Sequence, residues 1–146
     1  MPSRVVASTG DLSASLKAIG SKIPKAVTAQ MAVEMRVVKQ LAFDRAPVEY
    51  GNLEDAIKLE RSNRGRIWTV YVDGSEPDHT GKYTVGDYAV WLHESIYDLG
   101  PASLAKAART GQPVGRKYLE SALQDRINSG MLERLAKVTA EEAGVL

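Results

Sequence analysis

The sequence contains no cysteine and only two histidines. Without cysteine the chain cannot form disulfides, iron–sulfur clusters, thiolate zinc sites or a cysteine nucleophile. No uncharged apolar run approaches the ~20 residues that a transmembrane helix needs, so we expect no membrane association. Apolar residues make up 44% and charged residues 25% of the 146 positions, which is typical of a single globular domain spanning residues 1–146.

An excess of basic charge is also missing. Nineteen Lys and Arg oppose eighteen Asp and Glu, for a net charge of +1, which disfavours a dedicated nucleic-acid-binding protein. Residues 1–50 carry seven basic and four acidic groups, residues 51–100 five and nine, and residues 101–146 seven and five. An acidic middle between basic ends suits head-to-tail contacts between copies, and solvated faces of one domain are the alternative.

The N-terminal third has the apolar spacing of a helix over residues 11–44. The stripe consists of Leu12, Leu16, Ile19, Ile23, Val27, Met31, Met35 and Val38. Pro24 lacks the N–H that a helix interior requires, so we predict a short helix at 11–19 and a long one from about 24 to 44. The second helix should end before Pro47.

Residues 45–94 predict a loop followed by a small sheet. Asn52 is placed to cap a helical turn, with Asp55 three residues later. The alternating residues 57–60 and the β-branched and aromatic residues 67–72 predict a β-hairpin whose tip is 61–66. Residues 73–87 are polar and rich in turn residues, which indicates a long loop or a flexible hairpin. For residues 88–94 we favour a strand running into a turn over a short helix.

The C-terminal part predicts a variable loop and a helix. Residues 95–115 contain two prolines and three glycines, with a short helix expected at 102–109. Residues 116–140 return to helical spacing, and Gly130 is a point where this helix can break. The predicted stripe is Tyr118, Leu119, Ala122, Leu123, Ile127, Met131, Leu132 and Leu135. The predicted fold is therefore α+β, with a long N-terminal and a C-terminal helix packed on a small antiparallel sheet with long loops.

The sequence offers little catalytic machinery. His93-Glu94 resembles the start of a zinc-protease motif, but Tyr97 stands where the second histidine is required. No phosphate-binding glycine loop and no nucleophile elbow is present. We expect no enzyme, no metal and no cofactor. The enzymatic alternative is a carboxylate–histidine site built from Glu49, His79 and His93.

Two groups of residues suggest contacts rather than chemistry. Trp68 and Trp91 are expected either in the core or at a subunit interface, where tryptophan is enriched. The hairpin tip holds Arg61, Arg64 and Arg66. It is a solvated turn, a basic finger for nucleic acid, or a contact for an acidic neighbour such as the 73–98 segment of another copy.

Three segments resemble a family of tailed-phage proteins. Residues 45–57, Arg-Ala-Pro-Val-Glu-Tyr-Gly-Asn-Leu-Glu-Asp-Ala-Ile, resemble the Ala-Pro-Val-Asp-Thr-Gly-Asn-Leu-x-x-Ser-Ile signature of tail-completion and head–tail joining proteins, which include minor tail proteins. Tyr50 and Ala56 replace the usual threonine and serine. Residues 87–94 look like that family's Tyr-Ala-x-x-x-Glu strand, with His93 intervening before the glutamate. Residues 115–123 are similar to its entry into the last helix.

The resemblance implies a structural protein of the virion neck, without catalytic activity. Copies would form a homo-oligomeric ring around the DNA channel, with a hexamer favoured over a dodecamer. The implied partners are connector or stopper proteins, tail tube or terminator proteins, and non-specific DNA in the channel. Other connector, stopper or adaptor proteins and a small nucleic-acid-binding protein are the alternatives. No signal-peptide segment is visible, so we expect assembly in the host cytoplasm.

The interface residues expected from these features are aromatic and polar side chains of the middle segment. They are Tyr50, Asn52, Trp68, Tyr83, Tyr88, Trp91 and Glu94. Arg61, Arg64 and Arg66 are the expected contacts to DNA or to a neighbouring subunit.

Overall fold

The computed structural model describes residues 4–8, 22–62 and 67–144, with side chains described for residues 25–62 and 67–144. The predicted short helix at 11–19 lies outside the described residues, as do Arg64 and Arg66. The described elements, in chain order, are β1 (Arg4–Ser8), α1 (Lys22–Arg45), α2 (Asn52–Asp55), β2 (Ile57–Ser62), β3 (Ile67–Val72), α3 (Gly86–Glu94), α4 (Pro101–Thr110), α5 (Tyr118–Asn128) and α6 (Met131–Glu142).

The sheet is antiparallel, with the strand order β1-β3-β2. The predicted hairpin is confirmed: Ile57 pairs with Val72 at its base, and Ser62 pairs with Ile67 at the other end. β1 was not predicted. It pairs with the free edge of β3, which makes β3 the central strand. Three consecutive β3 residues, Trp68 to Val70, are buried, so both faces of this strand are covered.

The long helix α1 is the centre of the fold. Its described stripe is buried as predicted and consists of Val27, Met31, Met35, Val38 and Ala42. The helix packs against α5 and α6 and against the hairpin strands. It begins at Lys22 rather than at residue 24, because Pro24 lies in the first turn, where no intrahelical N–H is needed. The α+β class predicted from the sequence is correct.

The C-terminal helix predicted over 116–140 is two helices. α5 ends at Asn128 and α6 begins at Met131, and Gly130 between them has φ +103°, a conformation that favours glycine. The break therefore falls at the predicted position. Leu119 and Leu135 of the predicted stripe are buried, but Leu132 is 54% exposed. Its assignment to the core was wrong, because Met131 and Leu135 define the buried face of α6.

The prediction of a strand at 88–94, and with it of a purely loop-and-sheet segment over 45–94, is wrong. Residues 86–94 form the helix α3. The buried residues around it are Val85, Ala89 and His93, at the four-residue spacing of a helix face. A continuous apolar run fits a buried strand and a helix equally well, and this one was misread. Residues 95–115 are not one variable loop, because they contain α4, which confirms the short helix expected there.

None of the helices in the described ranges is both long enough and apolar enough to cross a membrane.

A buried carboxylate joins α1 to the C-terminal helices. Glu34 is fully buried, and its carboxylate accepts hydrogen bonds from Arg126 Nε of α5 and Arg134 Nε of α6, both at 2.5 Å. Gln30 donates a further bond at 3.1 Å. Burial by itself would raise the pKa of Glu34, but the bonds from Arg134, Arg126 and Gln30 outweigh it and hold the pKa below its ordinary value of 4.5.

Replacing Glu34 by glutamine should lower the free energy of unfolding by about 2 kcal/mol at neutral pH, because two arginines lose their buried anionic partner. The native pKa is lowered, so the carboxylate stabilises the fold above pH 4.5 and this stabilisation disappears as the pH falls through the native pKa. Denaturant unfolding should therefore show the wild type and E34Q converging in acid.

Glu141→Gln is the matched control, since this carboxylate lies 3.9 Å from Lys137 in an exposed pair. It should change stability by no more than about 0.5 kcal/mol at any pH. A constant difference between wild type and E34Q from neutral to acidic pH would contradict the assigned role of Glu34.

Candidate functional site

A single groove gathers most of the sequence-predicted interface residues. It has a volume of about 630 Å³ and lies where the loop 47–53 meets residues 78–79, helix α3 and the segment 97–103. Aromatic and aliphatic side chains dominate its lining. We call this feature the acidic aromatic groove, because Glu49, Asp78 and Asp98 are its charged lining residues and none of the described residues that line it is lysine or arginine.

The first wall is the loop 47–53, which we call the motif loop. Gly51 has φ +87° and stands at the N-cap of α2, a backbone conformation that favours glycine. Asn52 was predicted to cap this helical turn, and the prediction is wrong because Gly51 occupies the cap position without a side-chain hydrogen bond. The amide of Asn52 instead donates to Pro77 O at 3.2 Å. Asn52 therefore ties the motif loop to the 73–85 segment.

The second wall is a compact turn rather than a long open loop. Pro77 and Thr84 form a β-bridge, and Asp78 N donates to Tyr83 O at 2.9 Å. The carboxylate of Asp78 accepts bonds from Thr80 Oγ1 at 2.6 Å and from Thr80 N at 3.0 Å. These bonds from Thr80, with a weaker one from Tyr83 N, hold the pKa of Asp78 below its usual range. Asp78 therefore faces the groove as an ionised carboxylate at neutral pH.

The ends of this turn are held together by two glycines in van der Waals contact. A Cβ placed on Gly86 would lie 2.8 Å from Gly74 O, so a side chain there would force the backbones apart. Gly86 N also donates to Gly74 O at 3.0 Å. The close approach sets where α3 begins, directly beside the sheet.

Two pairs of stacked rings line the groove. The Tyr50 and His79 rings lie 3.7 Å apart at 19°, and those of Trp91 and Tyr97 lie 5.1 Å apart at 25°. Tyr50 and Trp91 are 62% and 56% exposed. Tyr97 donates to Leu92 O at 2.6 Å, and burial raises its pKa to about 12, so it remains a donor at neutral pH. The result is an exposed aromatic surface on rigid supports.

Helix α4 holds the motif loop in place through two buried side chains, those of Ser103 and Lys106. Ser103 Oγ accepts a bond from Val48 N at 2.8 Å and donates to Val48 O at 3.1 Å. Lys106, 3% exposed, donates to Ala46 O at 2.8 Å and to Glu54 Oε2 at 2.9 Å, and it also binds Phe43 O. Because Phe43 and Ala46 lie at the C-terminal end of α1, the ammonium also favours the negative end of the helix dipole.

The segment after α4, residues 111–117, is anchored to the C-terminal end of α1. Arg45, 5% exposed, donates to Gln112 Oε1 at 2.9 Å and to Asp125 Oδ2 at 2.5 Å. Gly115 N donates to Arg45 O at 2.9 Å. The 111–117 connection is therefore held between α1 and α5.

The structure places four of the predicted interface residues in the groove: Tyr50, Asn52, Tyr88 and Trp91. Tyr83 is 53% exposed on the neighbouring turn, outside the lining. Glu94 also lies outside it and pairs with Lys117 at 2.6 Å.

Trp68 belongs to the core at 5% exposure, so its expected interface role is wrong. Its ring faces the guanidinium of Arg61 at 5.6 Å, and Arg61 is exposed at the end of β2.

The histidines are separated. His79 lines the groove with Glu49, whereas His93 is buried and does not line it. His93 Nδ1 lies 2.7 Å from Glu94 Oε1, and its ring meets Tyr118 edge-on at 4.8 Å. The structure therefore does not bring Glu49, His79 and His93 together on one surface. In the described part of the chain, no three His, Asp or Glu residues are grouped so as to hold a metal ion.

Several groove residues were missed from the sequence. Tyr97, Asp98 and Leu99 were assigned to a variable loop, and Ser103 carried no recognised motif. Lys106, which anchors the groove from outside its lining, was missed as well. The one available signal was Gly100-Pro101, since proline at the first position of a helix marks where α4 begins and where the preceding segment must turn.

No protein-family model, no curated protein and no solved structure matches this chain.

Replacing Lys106 by methionine should lower the free energy of unfolding by about 3–5 kcal/mol, because Glu54 and two backbone carbonyls lose their buried partner. The matched control is Lys117→Met, whose side chain is 35% exposed and pairs with Glu94 and Glu120. The control should leave stability nearly unchanged, because solvent screens both ion pairs. Equal losses for the two variants in denaturant unfolding would contradict the anchoring role of Lys106.

The two tryptophans should differ sharply in their contribution to stability. Trp68→Ala is expected to lower the free energy of unfolding by about 3–5 kcal/mol, because it leaves a cavity in the core. Trp91→Ala should cost less than about 1 kcal/mol, because most of its ring is already in solvent. In Trp68→Phe, acrylamide should quench the fluorescence of the remaining Trp91. In Trp91→Phe, the fluorescence of the remaining Trp68 should be protected from acrylamide. Equal quenching would contradict the placement of these rings.

Proposed function

We propose that this chain is a structural protein of a tailed-phage neck, which completes or joins the tail at the head–tail interface around the DNA channel. The proposal includes a homo-oligomeric ring, with a hexamer favoured over a dodecamer. It also includes connector or stopper and tail tube or terminator proteins as neighbours, a place in the virion, and a non-catalytic role.

The observation that carries the proposal is that the three phage-like segments, remote in sequence, are neighbours in the fold. The 45–57 segment forms one wall of the groove, and the 87–94 segment forms another as α3. The 115–123 segment contacts both, since Gly115 N donates to Arg45 O at 2.9 Å and Lys117 N to His93 O at 2.7 Å. Tyr118 also donates to Ala89 O at 3.0 Å. Two of the three segments thus form walls of one groove, and the third packs behind them, an arrangement that supports a shared docking function.

One feature of the resemblance is altered in the structure. The 87–94 segment is helical here, whereas the family-like pattern implied a strand. The helix still presents Trp91 to the groove and keeps Glu94 at its C-terminal end. The support for the proposal therefore comes from the surface these residues form rather than from their secondary structure.

The surface chemistry supports contact with protein. Exposed aromatic rings grouped on one groove mark interaction sites, and Trp and Tyr are enriched among residues that dominate binding energy. Glu49, Asp78 and Asp98 would repel a phosphate backbone, so channel DNA is not the occupant of this groove.

A nonsense codon in this chain's gene, in a tailed phage that carries it, should yield filled heads and tails that stay apart. Supplying the wild-type chain in trans should restore joined particles. The double variant Tyr50→Ala with Trp91→Ala should restore them at least about a hundredfold less well, because two aromatic anchors are worth roughly 2 kcal/mol or more each. Electron microscopy of the lysate and the particle titre measure both effects.

Leu132→Ala is the matched control, because Leu132 is 54% exposed on α6 and does not line the groove. It should complement as well as the wild type. Joined, infectious particles that lack the chain altogether would contradict the proposed function. Native mass spectrometry of joined necks would then give the copy number, and a count other than six or twelve would contradict the proposed ring.

A further inference from the structure

The acidic aromatic groove and the hairpin tip carry opposite charges. The groove presents Glu49, Asp78 and Asp98, with no lysine or arginine among the described residues that line it. The tip 61–66 reads Arg-Ser-Asn-Arg-Gly-Arg, three basic residues in six with no acidic one. Arg61, which is the one arginine of this tip among the residues that the structure describes, is exposed. The two surfaces are therefore complementary within one chain.

The lining of the groove suits a guanidinium group in particular. Arginine stacks on exposed aromatic faces and forms paired hydrogen bonds with carboxylates. The groove offers both, with Tyr50 and Trp91 exposed and Glu49 and Asp98 on its surface. Asp78 remains ionised because Thr80 binds its carboxylate. A small apolar ligand would leave the carboxylates of Glu49 and Asp98 without a basic partner.

The described strands of the hairpin, β2 and β3, lie outside the lining of the groove. The base of the hairpin adjoins the groove, because α2 leads directly into β2 and Asp73 N donates to Ala56 O at 2.8 Å. From Ile57 to Ser62 the extended strand covers roughly 17 Å, at about 3.4 Å per residue. Ser62 and Ile67, the described residues that flank the tip, therefore lie one strand length from the base of the hairpin, which favours a contact between copies over a contact within one molecule.

We propose that the acidic aromatic groove of one copy binds the arginine-rich hairpin tip of a second copy. A contact between two different surfaces of identical chains is heterologous, and it closes into a ring when the rotation between copies permits. The inference deepens the proposed function and rests on it for the ring, but the contact itself is testable on the purified chain alone.

Two charge-reversed variants test the contact. The groove variant carries Glu49→Lys and Asp98→Lys, two exposed residues, and leaves Asp78 to hold its turn. The tip variant carries Arg64→Glu and Arg66→Glu. Self-association of the wild type, of each variant and of their equimolar mixture is measured by sedimentation velocity and native mass spectrometry over a range of concentrations.

The wild type should self-associate, and added salt should weaken the association because charges at the contact are screened. Each variant alone should associate at least about tenfold more weakly, since groove and tip then repel each other. The mixture should recover association, because each variant's groove again meets a tip of opposite charge. Recovery in the mixture is an effect that simple misfolding of either variant would not produce.

The matched controls reverse charges at helix ends remote in sequence from the groove and the tip. Lys25→Glu lies near the start of α1 and Glu142→Lys at the end of α6, both exposed and both placed where the new charge suits the helix dipole. Neither should change self-association.

Three outcomes would overturn the contact. They are a wild type that is monomeric at every concentration, association that neither variant weakens, and a mixture that fails to recover. If the tip variant loses only its binding to duplex DNA, the tip serves nucleic acid instead. If the nonsense mutation blocks joining while the contact fails, the proposed function stands and only this contact is wrong. If the purified chain makes the contact but phage that lack the chain still yield joined particles, the contact stands and the proposed function is wrong.

Discussion

The ammonium group of Lys106 is the constraint on which the candidate site depends. It is buried, and it binds Glu54 of α2 and the backbone carbonyls of Phe43 and Ala46 at the end of α1. A buried cation that loses its partners is costly, so packings that separate these groups from it are strongly disfavoured. The motif loop between Ala46 and Glu54 is thereby held against α4, and Ser103 fixes its middle through Val48. Packings that move the groove wall away from this buried charge are therefore disfavoured.

A second buried charge, that of Glu34, lies in the middle of α1. Glu34 binds arginines from α5 and α6, which lie 92 and 100 residues later in the chain. Buried ion pairs of this kind add little net stability but penalise any packing in which a partner is absent. Glu34 gives α1 a polar contact in the middle of its buried stripe, and Lys106 gives it one at the C-terminal end. The long helix therefore serves as the frame against which the sheet, the groove and the C-terminal helices are positioned.

The groove combines an aromatic surface with acidic charge. Its aromatic rings are exposed on rigid supports, and its charged lining residues are acidic. Aromatic area supplies binding energy at little conformational cost, while carboxylates select a basic partner and repel nucleic acid. The same chain carries the basic sequence 61–66, which we propose as the partner of this groove. Such a division of charge would suit the proposed role in assembly.

The sequence by itself determined the α+β class, the buried stripe of α1, the hairpin, the helix within 95–115 and the break at Gly130. Each depends on local periodicity or on one residue's backbone preference. Only the tertiary structure decided that residues 86–94 are helical, that Trp68 is buried and Trp91 exposed, and that Asn52 binds Pro77 instead of capping α2. A continuous apolar run is compatible with both a helix and a strand, and a single tryptophan in a sequence does not indicate whether its side chain is buried or exposed. The groove itself joins segments as remote in sequence as Pro47 and Ser103, and bonds made by Asn52, Ser103 and Lys106 across the fold bring them together.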